Sequence, residues 1–274
     1  MIDFAELDAR RLGLAGSRLC YAAQGDAGPP ILLLHGIGAN HLGWRHIMAG
    51  LAQRARVIAW NAPGYFLSDP FLSEAPTAEA YVEVALALLD ALGIDGPVHV
   101  VGSSFGSMLA ACMAARHPDR VASLTLFGAS RGQRWKSPEE RAQLLAMRAA
   151  SIAEGGMALA RTRAERLVAP GAGEAVLREV RRMLAATDAR GLMAAARCTD
   201  RVDVVADYAP RIAAPTLVVT GREDAVNPPE VGMAIADAIT GARFVCPDGV
   251  GHLMELEDPD GALILLQRHL NIPS

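Results

Sequence analysis

Short, continuous apolar runs alternate along this chain with longer segments in which apolar residues recur every three or four positions. The short runs predict buried strands and the longer segments predict helices. The predicted strands lie at 31–34, 57–60, 98–101, 121–127, 214–221 and 242–246. The predicted helices between them lie at 42–54, 76–92, 108–116, 228–238 and 259–270. This alternation predicts an α/β fold, a mostly parallel twisted sheet with helices on both faces.

The N-terminal region precedes this alternation. Residues 11–23 read as two short strands that turn near Gly16. We expect them to form an antiparallel hairpin at one edge of the sheet.

The alternation stops between the strand at 121–127 and the strand at 214–221. That stretch is rich in Ala, Arg, Leu and Met, and its periodicity predicts only helices, at 138–153, 157–168, 174–187 and 191–198. We therefore expect a core domain of residues 1–131 and 209–274 and an all-helical cap of residues 132–208. We expect the arginines of the cap to form solvated faces and not an anion site: Arg163, Arg166, Arg178, Arg181 and Arg182.

Composition narrows the function. With 51% hydrophobic residues in 274, the chain can bury a large core, yet it has no uncharged apolar stretch of membrane-spanning length and no signal-peptide pattern at residues 1–6. We expect a cytoplasmic protein that acts on a small molecule. A net charge of -4 does not favour nucleic-acid binding. Four scattered cysteines indicate neither a disulfide nor a metal site, we expect no cofactor, and homo-oligomerisation stays open.

A glycine-flanked serine stands where the strand at 98–101 meets a helix. Gly102 and Gly106 lie two residues either side of Ser104, the G-x-S-x-G spacing of a nucleophile elbow. The same spacing recurs around Ser130, but no apolar helix follows there. We predict Ser104 as the nucleophile and Ser130 as a loop residue.

An acyl-transfer nucleophile needs backbone N–H groups that hold the oxyanion. The N–H of Phe105, directly after the serine, is the first candidate, and the N–H of Ile37 in the glycine-rich exit of the strand at 31–34 is the second. His35 is the first residue after the strand at 31–34. Its position before a glycine indicates a structural role in the loop and not the role of catalytic base.

A serine hydroxyl also needs a base, usually a histidine oriented by a carboxylate. His252 lies on a glycine-bounded loop after the last predicted strand, and Asp224 follows the preceding strand. Asp248 and Glu255 are rival carboxylates on the His252 loop. The chain order Ser, Asp, His favours Asp224.

These motifs together resemble the α/β-hydrolase fold superfamily, specifically its capped serine esterases and lipase-like hydrolases. The resemblance covers nearly the whole chain and implies Ser104, Asp224 and His252 as a catalytic triad, with Ile37 and Phe105 as the oxyanion hole. Three positions depart from the family pattern: Asn61 replaces an acid, Phe66 a glycine, and Ser107 a glycine.

The resemblance implies a serine hydrolase of small carboxylic esters or lactones, acting through an acyl-enzyme on Ser104. Two other enzyme activities stay open, a carbon–carbon bond hydrolase of aromatic ring-cleavage products and a proline-iminopeptidase-like activity. A ligand-binding member of the fold without catalysis is the alternative outside the enzymes.

Overall fold

A computed structural model describes residues 2–272, and within them eight strands form one sheet. The strands are β1 (Ile2–Glu6), β2 (Arg18–Gln24), β3 (Pro30–Leu34), β4 (Arg56–Trp60), β5 (Val98–Ser103), β6 (Val121–Phe127), β7 (Thr216–Val219) and β8 (Arg243–Val245). Their order across the sheet is β1-β2-β4-β3-β5-β6-β7-β8. The pairs β1–β2 and β2–β4 are antiparallel and every later pair is parallel. The predicted α/β fold with a mostly parallel sheet is confirmed.

Helices connect the strands and fill the insertion. They are α1 (Ala9–Leu12), α2 (Arg45–Leu51), α3 (Ala78–Ala91), α4 (Phe105–Arg116), α5 (Pro138–Ala153), α6 (Gly156–Arg163), α7 (Glu174–Ala185), α8 (Ala189–Asp200), α9 (Val204–Asp207), α10 (Pro229–Ala238), α11 (Met254–Glu257) and α12 (Pro259–Leu270). Short 3-10 turns lie at His41–Trp44, Pro118–Arg120, Ala164–Leu167 and Ala209–Arg211. None of the helices in residues 2–272 is long and apolar enough to cross a membrane.

The central strands are apolar on both faces because both faces are covered. In β3, Leu32 and Leu34 pack into a core with α3, α4 and α10, whereas Ile31 and Leu33 pack into a second core with α2 and α12. The continuous apolar run of this strand follows from that double burial. The parallel strands bring their carboxyl ends to one edge of the sheet, where ligand sites form in such folds.

The helical insertion, α5 to α9, separates β6 from β7, and its apolar residues form a separate cluster that also includes Leu253 of the core. Its two ends meet, because Gly132 and Asp203 form an isolated antiparallel bridge. Arg131 clamps the same aspartate with two hydrogen bonds, of 2.7 and 3.0 Å. The insertion is therefore anchored at a narrow neck beside the carboxyl edge of the sheet.

The expected N-terminal hairpin exists, but its first strand was placed wrongly. Residues 9–12 form α1, and the strand that pairs with β2 is β1, at the start of the chain. Local signals account for the turn of helix. The Asp8 side chain accepts a hydrogen bond from the Arg11 N–H, and Gly13 ends the helix in the left-handed region with φ 66°.

Candidate active site

Ser104 stands between β5 and α4 in a backbone conformation that few residues adopt. Its φ is 52° and its ψ is -114°. The surroundings enforce this conformation: a Cβ on Gly102 would lie 2.3 Å from the Gly106 carbonyl oxygen, and one on Gly106 would lie 2.0 Å from the Leu34 oxygen. Strain of this kind costs about 1–3 kcal/mol and holds the side chain at the edge of the sheet.

His252 and Asp224 form a buried pair on two neighbouring loops after β7 and β8. The histidine donates its Nδ1–H to Asp224 Oδ2 over 2.8 Å, and each residue is only 3% exposed. His252 lines the same cavity as Ser104. With Nδ1 engaged by the carboxylate, Nε2 is the ring nitrogen left to exchange protons.

The aspartate is itself held from two sides. Its Oδ1 accepts the N–H groups of Val226 at 2.8 Å and Asn227 at 2.9 Å. The Asn227 side chain in turn donates to the Gly128 carbonyl oxygen at 2.9 Å. These bonds compensate the carboxylate charge and fix the orientation of the pair.

The two rival carboxylates occupy other positions. Asp248 is exposed and pairs with Arg222. Glu255 is buried, and that burial raises its pKa, but it does not hydrogen-bond to the His252 ring in residues 2–272. Asp224 is thus the carboxylate that the fold brings to His252.

The two expected oxyanion donors lie on the cavity wall with Ser104. Neither the Ile37 N–H nor the Phe105 N–H donates to another group within the described residues. Gly36 allows the close approach of this loop, because a Cβ there would lie 3.0 Å from the Cβ of Ser104. Two uncommitted N–H groups beside a serine provide the hydrogen-bond capacity of an oxyanion hole.

His35 shapes the loop that carries Ile37. Its Nδ1–H donates to the Gly36 oxygen at 2.9 Å, and its Nε2 accepts from the Ala62 N–H at 3.0 Å. Burial lowers the pKa of His35 to about 4, so the ring is neutral at pH 7. Both ring nitrogens are in use, which leaves none for catalysis.

Glu257 supports the His252 loop and was not anticipated from the sequence. Its carboxylate accepts the N–H groups of Gly251 at 3.1 Å and Leu253 at 3.1 Å, directly before and after the histidine. It also accepts the Ala169 N–H of the insertion at 2.6 Å. Burial raises the pKa of Glu257 despite these donors. One side chain therefore ties the histidine loop to the insertion.

The departures from the family pattern have local consequences. Phe66, where a glycine is usual, adopts a left-handed φ of 51°. Asn61, in place of the acid, accepts the His41 N–H at 2.9 Å. Ser107 donates to the Ser104 carbonyl oxygen at 2.5 Å and accepts the Ser130 N–H at 2.9 Å. The Ser107 hydroxyl thereby links the elbow to the loop after β6.

A cavity of about 790 Å³, counting its open mouth, lies between Ser104 and the insertion. We call it the Ser104 cavity. Most of its wall is apolar, and its lining residues include Ile37, Phe105, Ile152, Leu159, Leu167, Leu184, Leu192, Ala196 and Val226. Its polar lining residues are Ser104, Ser130, Gln133, Arg148, Arg163, Thr199, Asn227 and His252.

Two of these cavity residues change the view of the insertion. Arg163 lines the Ser104 cavity, so its interpretation as part of a solvated face was wrong. Arg148 on α5 lines it too and was not singled out from the sequence. Ser130, by contrast, lies in the loop after β6, and no helix begins there.

No group of three or more metal-ligating His, Cys, Asp or Glu side chains occurs in residues 2–272.

Several known proteins of similar sequence are hydrolases. Residues 29–152 match the family model described as alpha/beta hydrolase fold. A 2-hydroxymuconate semialdehyde hydrolase from Pseudomonas sp. (strain CF600) is 30% identical over 84% of this chain and 83% of its own length. A 2-hydroxy-6-oxononadienedioate/2-hydroxy-6-oxononatrienedioate hydrolase from Dechloromonas aromatica (strain RCB) is 33% identical over 42% of this chain, and that alignment spans 41% of the relative.

Solved structures extend the similarity to the whole fold. An enol-lactonase from Burkholderia xenovorans LB400 superposes with a TM-score of 0.86 at 26% identity, covering 98% of this chain and 100% of that one. A thermophilic esterase from Thermogutta terrifontis also gives 0.86, at 25% identity over 99% and 98% of the two chains. With the sheet order, the helical insertion and these matches in place, the chain belongs to the alpha/beta hydrolase fold family.

Proposed function

We propose that this protein is a serine hydrolase that cleaves a small carboxylic ester or lactone through an acyl-enzyme on Ser104. The observation that carries the proposal is the convergence of Ser104, the His252–Asp224 pair and two uncommitted backbone N–H groups on one cavity. The similarity to an enol-lactonase and an esterase over nearly the whole chain supports the substrate class.

In the acylation step, His252 Nε2 takes the hydroxyl proton of Ser104 as Oγ attacks the substrate carbonyl carbon. The new bond places negative charge on the carbonyl oxygen. The N–H groups of Ile37 and Phe105 stabilise that charge, each contributing about 3 kcal/mol. His252 then gives its proton to the leaving alkoxide, and the carbon–oxygen bond breaks.

Deacylation repeats these steps with water as the nucleophile. His252 accepts a water proton, the hydroxide attacks the ester carbon on Ser104, and the tetrahedral intermediate collapses with return of the proton to Oγ. A lactone follows the same course, except that its alcohol stays attached to the released acid. Throughout, Asp224 holds the histidine in the required tautomer and stabilises its charged form.

The two parts of the chain have different tasks in this proposal. The core, residues 1–131 and 209–274, carries the reacting groups. The cap, residues 132–208, covers them and selects the substrate, because its helices supply most of the apolar wall of the Ser104 cavity.

A panel of short-chain 4-nitrophenyl esters and small lactones tests the proposal with wild type, Ser104→Ala and His252→Ala. We expect both variants to lose kcat by at least about 10⁴-fold. His46→Ala, which changes an exposed histidine, is the matched control and retains full activity. Equal turnover by wild type and both triad variants would overturn the mechanism.

Hydrolysis of a carbon–carbon bond is the second candidate, favoured by the relative that is 30% identical over 84% of the chain. The same serine, histidine and aspartate would serve, with a carbanion in place of the alkoxide as leaving group. Turnover of a vinylogous diketone acid at a higher kcat/KM than any ester would establish it. If that compound is not turned over and esters are cleaved rapidly, the result supports the ester or lactone activity and excludes carbon–carbon bond hydrolysis.

A further inference from the structure

Two arginines line the Ser104 cavity, and within the described residues neither has a hydrogen bond or an ion pair to its guanidinium group. Arg148 on α5 and Arg163 at the end of α6 line the cavity, and both are half-buried. Among residues 2–272, neither guanidinium makes an ion pair, a hydrogen bond or an aromatic contact. A guanidinium has five donors and stays charged, so leaving it half-buried and unpaired is costly unless a ligand completes it.

Nearby arginines of the insertion behave differently. Arg141, on the same helix as Arg148, grips Asp200 through two hydrogen bonds of 3.1 and 2.7 Å. The Asp200 carboxylate is therefore already paired with Arg141. The described lining of the Ser104 cavity contains no Asp or Glu at all. Its wall thus carries two positive charges and no fixed negative one.

The electrostatic consequence is visible in both arginines. Burial lowers the pKa of Arg148 and of Arg163. The charge of Arg163 lowers the pKa of Arg148 further, and the charge of Asp200 raises it. Two cations that repel one another across an apolar cavity gain most from a shared or neighbouring anion.

We infer that the substrate carries a free carboxylate, remote from the carbonyl that Ser104 attacks, and that Arg148 and Arg163 bind it. The planar guanidinium fork matches the two oxygens of a carboxylate. The apolar walls between the arginines and Ser104 suit the hydrocarbon chain that joins the two ends. This inference rests on the proposed function, because it assigns the polar end of that same substrate.

A pair of esters of equal chain length tests the inference. Mono-4-nitrophenyl glutarate carries a terminal carboxylate, whereas 4-nitrophenyl pentanoate ends in a methyl group. The methyl 4-nitrophenyl diester of glutaric acid is a neutral control of larger size. We expect wild type to prefer the hemiester by about 10- to 100-fold in kcat/KM. Added salt should reduce that preference.

Variants assign the preference to the two arginines. Arg148→Met and Arg163→Met should each raise KM for the hemiester, and the double variant should lose the preference, measured as the ratio of kcat/KM for the hemiester to kcat/KM for the pentanoate. Arg161→Met, on an exposed residue of the same helix as Arg163, is the charge-matched control and retains the preference. Arg148→Lys, which keeps a charge without the fork, should retain part of it. A preference that survives in the double variant, or its absence from wild type, overturns the inference.

A binding experiment separates this inference from the proposed function. Calorimetric titration of glutarate into Ser104→Ala protein needs no catalysis. Glutarate binding that disappears in the triple variant with both arginines changed to Met supports the anion site, even if wild type hydrolyses no ester. Ester hydrolysis without glutarate binding, and without a hemiester preference, overturns the anion site and leaves the hydrolase intact.

Discussion

The core and the insertion treat their polar groups in opposite ways. In the core, the fold supplies hydrogen-bond partners to the histidines of the site: Asp224 holds His252, and His35 uses both ring nitrogens. In the insertion, the cavity-facing guanidiniums of Arg148 and Arg163 have none within the described residues. The polar groups of the core are therefore positioned before a substrate binds, whereas the two guanidinium groups of the insertion have no hydrogen-bond partner until it does.

This difference separates reaction from recognition. Preorganised groups in the core stabilise charge that develops during the reaction without reorganising at that moment. Uncommitted groups in the insertion gain their partner only when the substrate binds. Changes in the core should therefore lower kcat for every substrate or destabilise the fold, whereas changes at Arg148 and Arg163 should alter substrate preference.

The largest expected effect comes from Asp224→Asn. An asparagine keeps the shape but cannot hold His252 in the productive tautomer or stabilise its positive charge, so kcat should fall by about 10⁴-fold for all esters. Stopped-flow or steady-state assays measure this loss. Asp248→Asn changes the exposed rival and should leave kcat unaltered. A large loss in the Asp248 variant and none in the Asp224 variant would reverse the assignment of the carboxylate.

His35 gives the next largest effect, on stability. Its folded pKa of about 4 lies below its unfolded value of 6.5, so the stability that it contributes is complete above pH 6.5 and declines as the pH falls toward 4. Wild type should lose about 3 kcal/mol of unfolding free energy through this group between pH 7 and pH 4.

The loss from His35 is measured by denaturant unfolding at both pH values in wild type and His35→Gln. The gap between them should narrow by about 3 kcal/mol at pH 4. With His46→Gln as a control at an exposed histidine, no comparable narrowing is expected. If the difference in unfolding free energy between wild type and His35→Gln is the same at both pH values, the assignment of a neutral His35 ring with both nitrogens hydrogen-bonded is refuted.

Glu257 tests the tie between core and insertion. In Glu257→Gln the amide offers one acceptor oxygen where the carboxylate offers two, so a backbone N–H beside His252 loses its partner. We expect a loss of about 2 kcal/mol in unfolding free energy and a lower kcat. Glu154→Gln, at an exposed residue of the insertion, should stay within about 0.5 kcal/mol of wild type. Equal effects in both variants would remove the special role of Glu257.

Glu255 gives the smallest effect, with a sign set by pH. Burial raises its folded pKa above the unfolded value of 4.5, so wild type loses stability as the pH rises from 4.5 through the folded pKa. The charge of His252 lowers the pKa of Glu255, and the charge of Glu257 raises it. Glu255→Gln, which has no charge to bury, should gain a few degrees in Tm relative to wild type between pH 5 and pH 8. A relative Tm that falls with pH contradicts the buried charge.

Much of the core site was predictable because its signals are local. The glycines at 102 and 106 mark a turn that no Cβ would fit, and loops at the carboxyl ends of parallel strands must converge. Ser104, Asp224 and His252 were therefore named together from spacing and chain order. The start of α3 is likewise set by a local signal, because the Thr77 side chain accepts the Ala80 N–H.

The remainder depends on long-range packing that local patterns do not encode. Helical periodicity in the insertion leaves open which side of α5 and α6 faces the core, so Arg148 escaped notice and Arg163 was misassigned. In the sequence Glu257 resembles a surface acid, because its hydrogen-bond partner, the Ala169 N–H, lies 88 residues away along the chain. At the N-terminus, pairing with β2 selected Ile2–Glu6 over residues 11–14.

Covalent labelling of the nucleophile tests the central claim most directly. Wild type, Ser104→Ala and Ser130→Ala are treated with a fluorophosphonate, and the modified peptide is located by mass spectrometry. Ser130 is the matched control, because it has the same flanking glycines and lines the same cavity. We predict one adduct, on Ser104, in wild type and in Ser130→Ala, and none in Ser104→Ala. An adduct on Ser130, or undiminished labelling of Ser104→Ala, would contradict the assignment of Ser104 as the nucleophile.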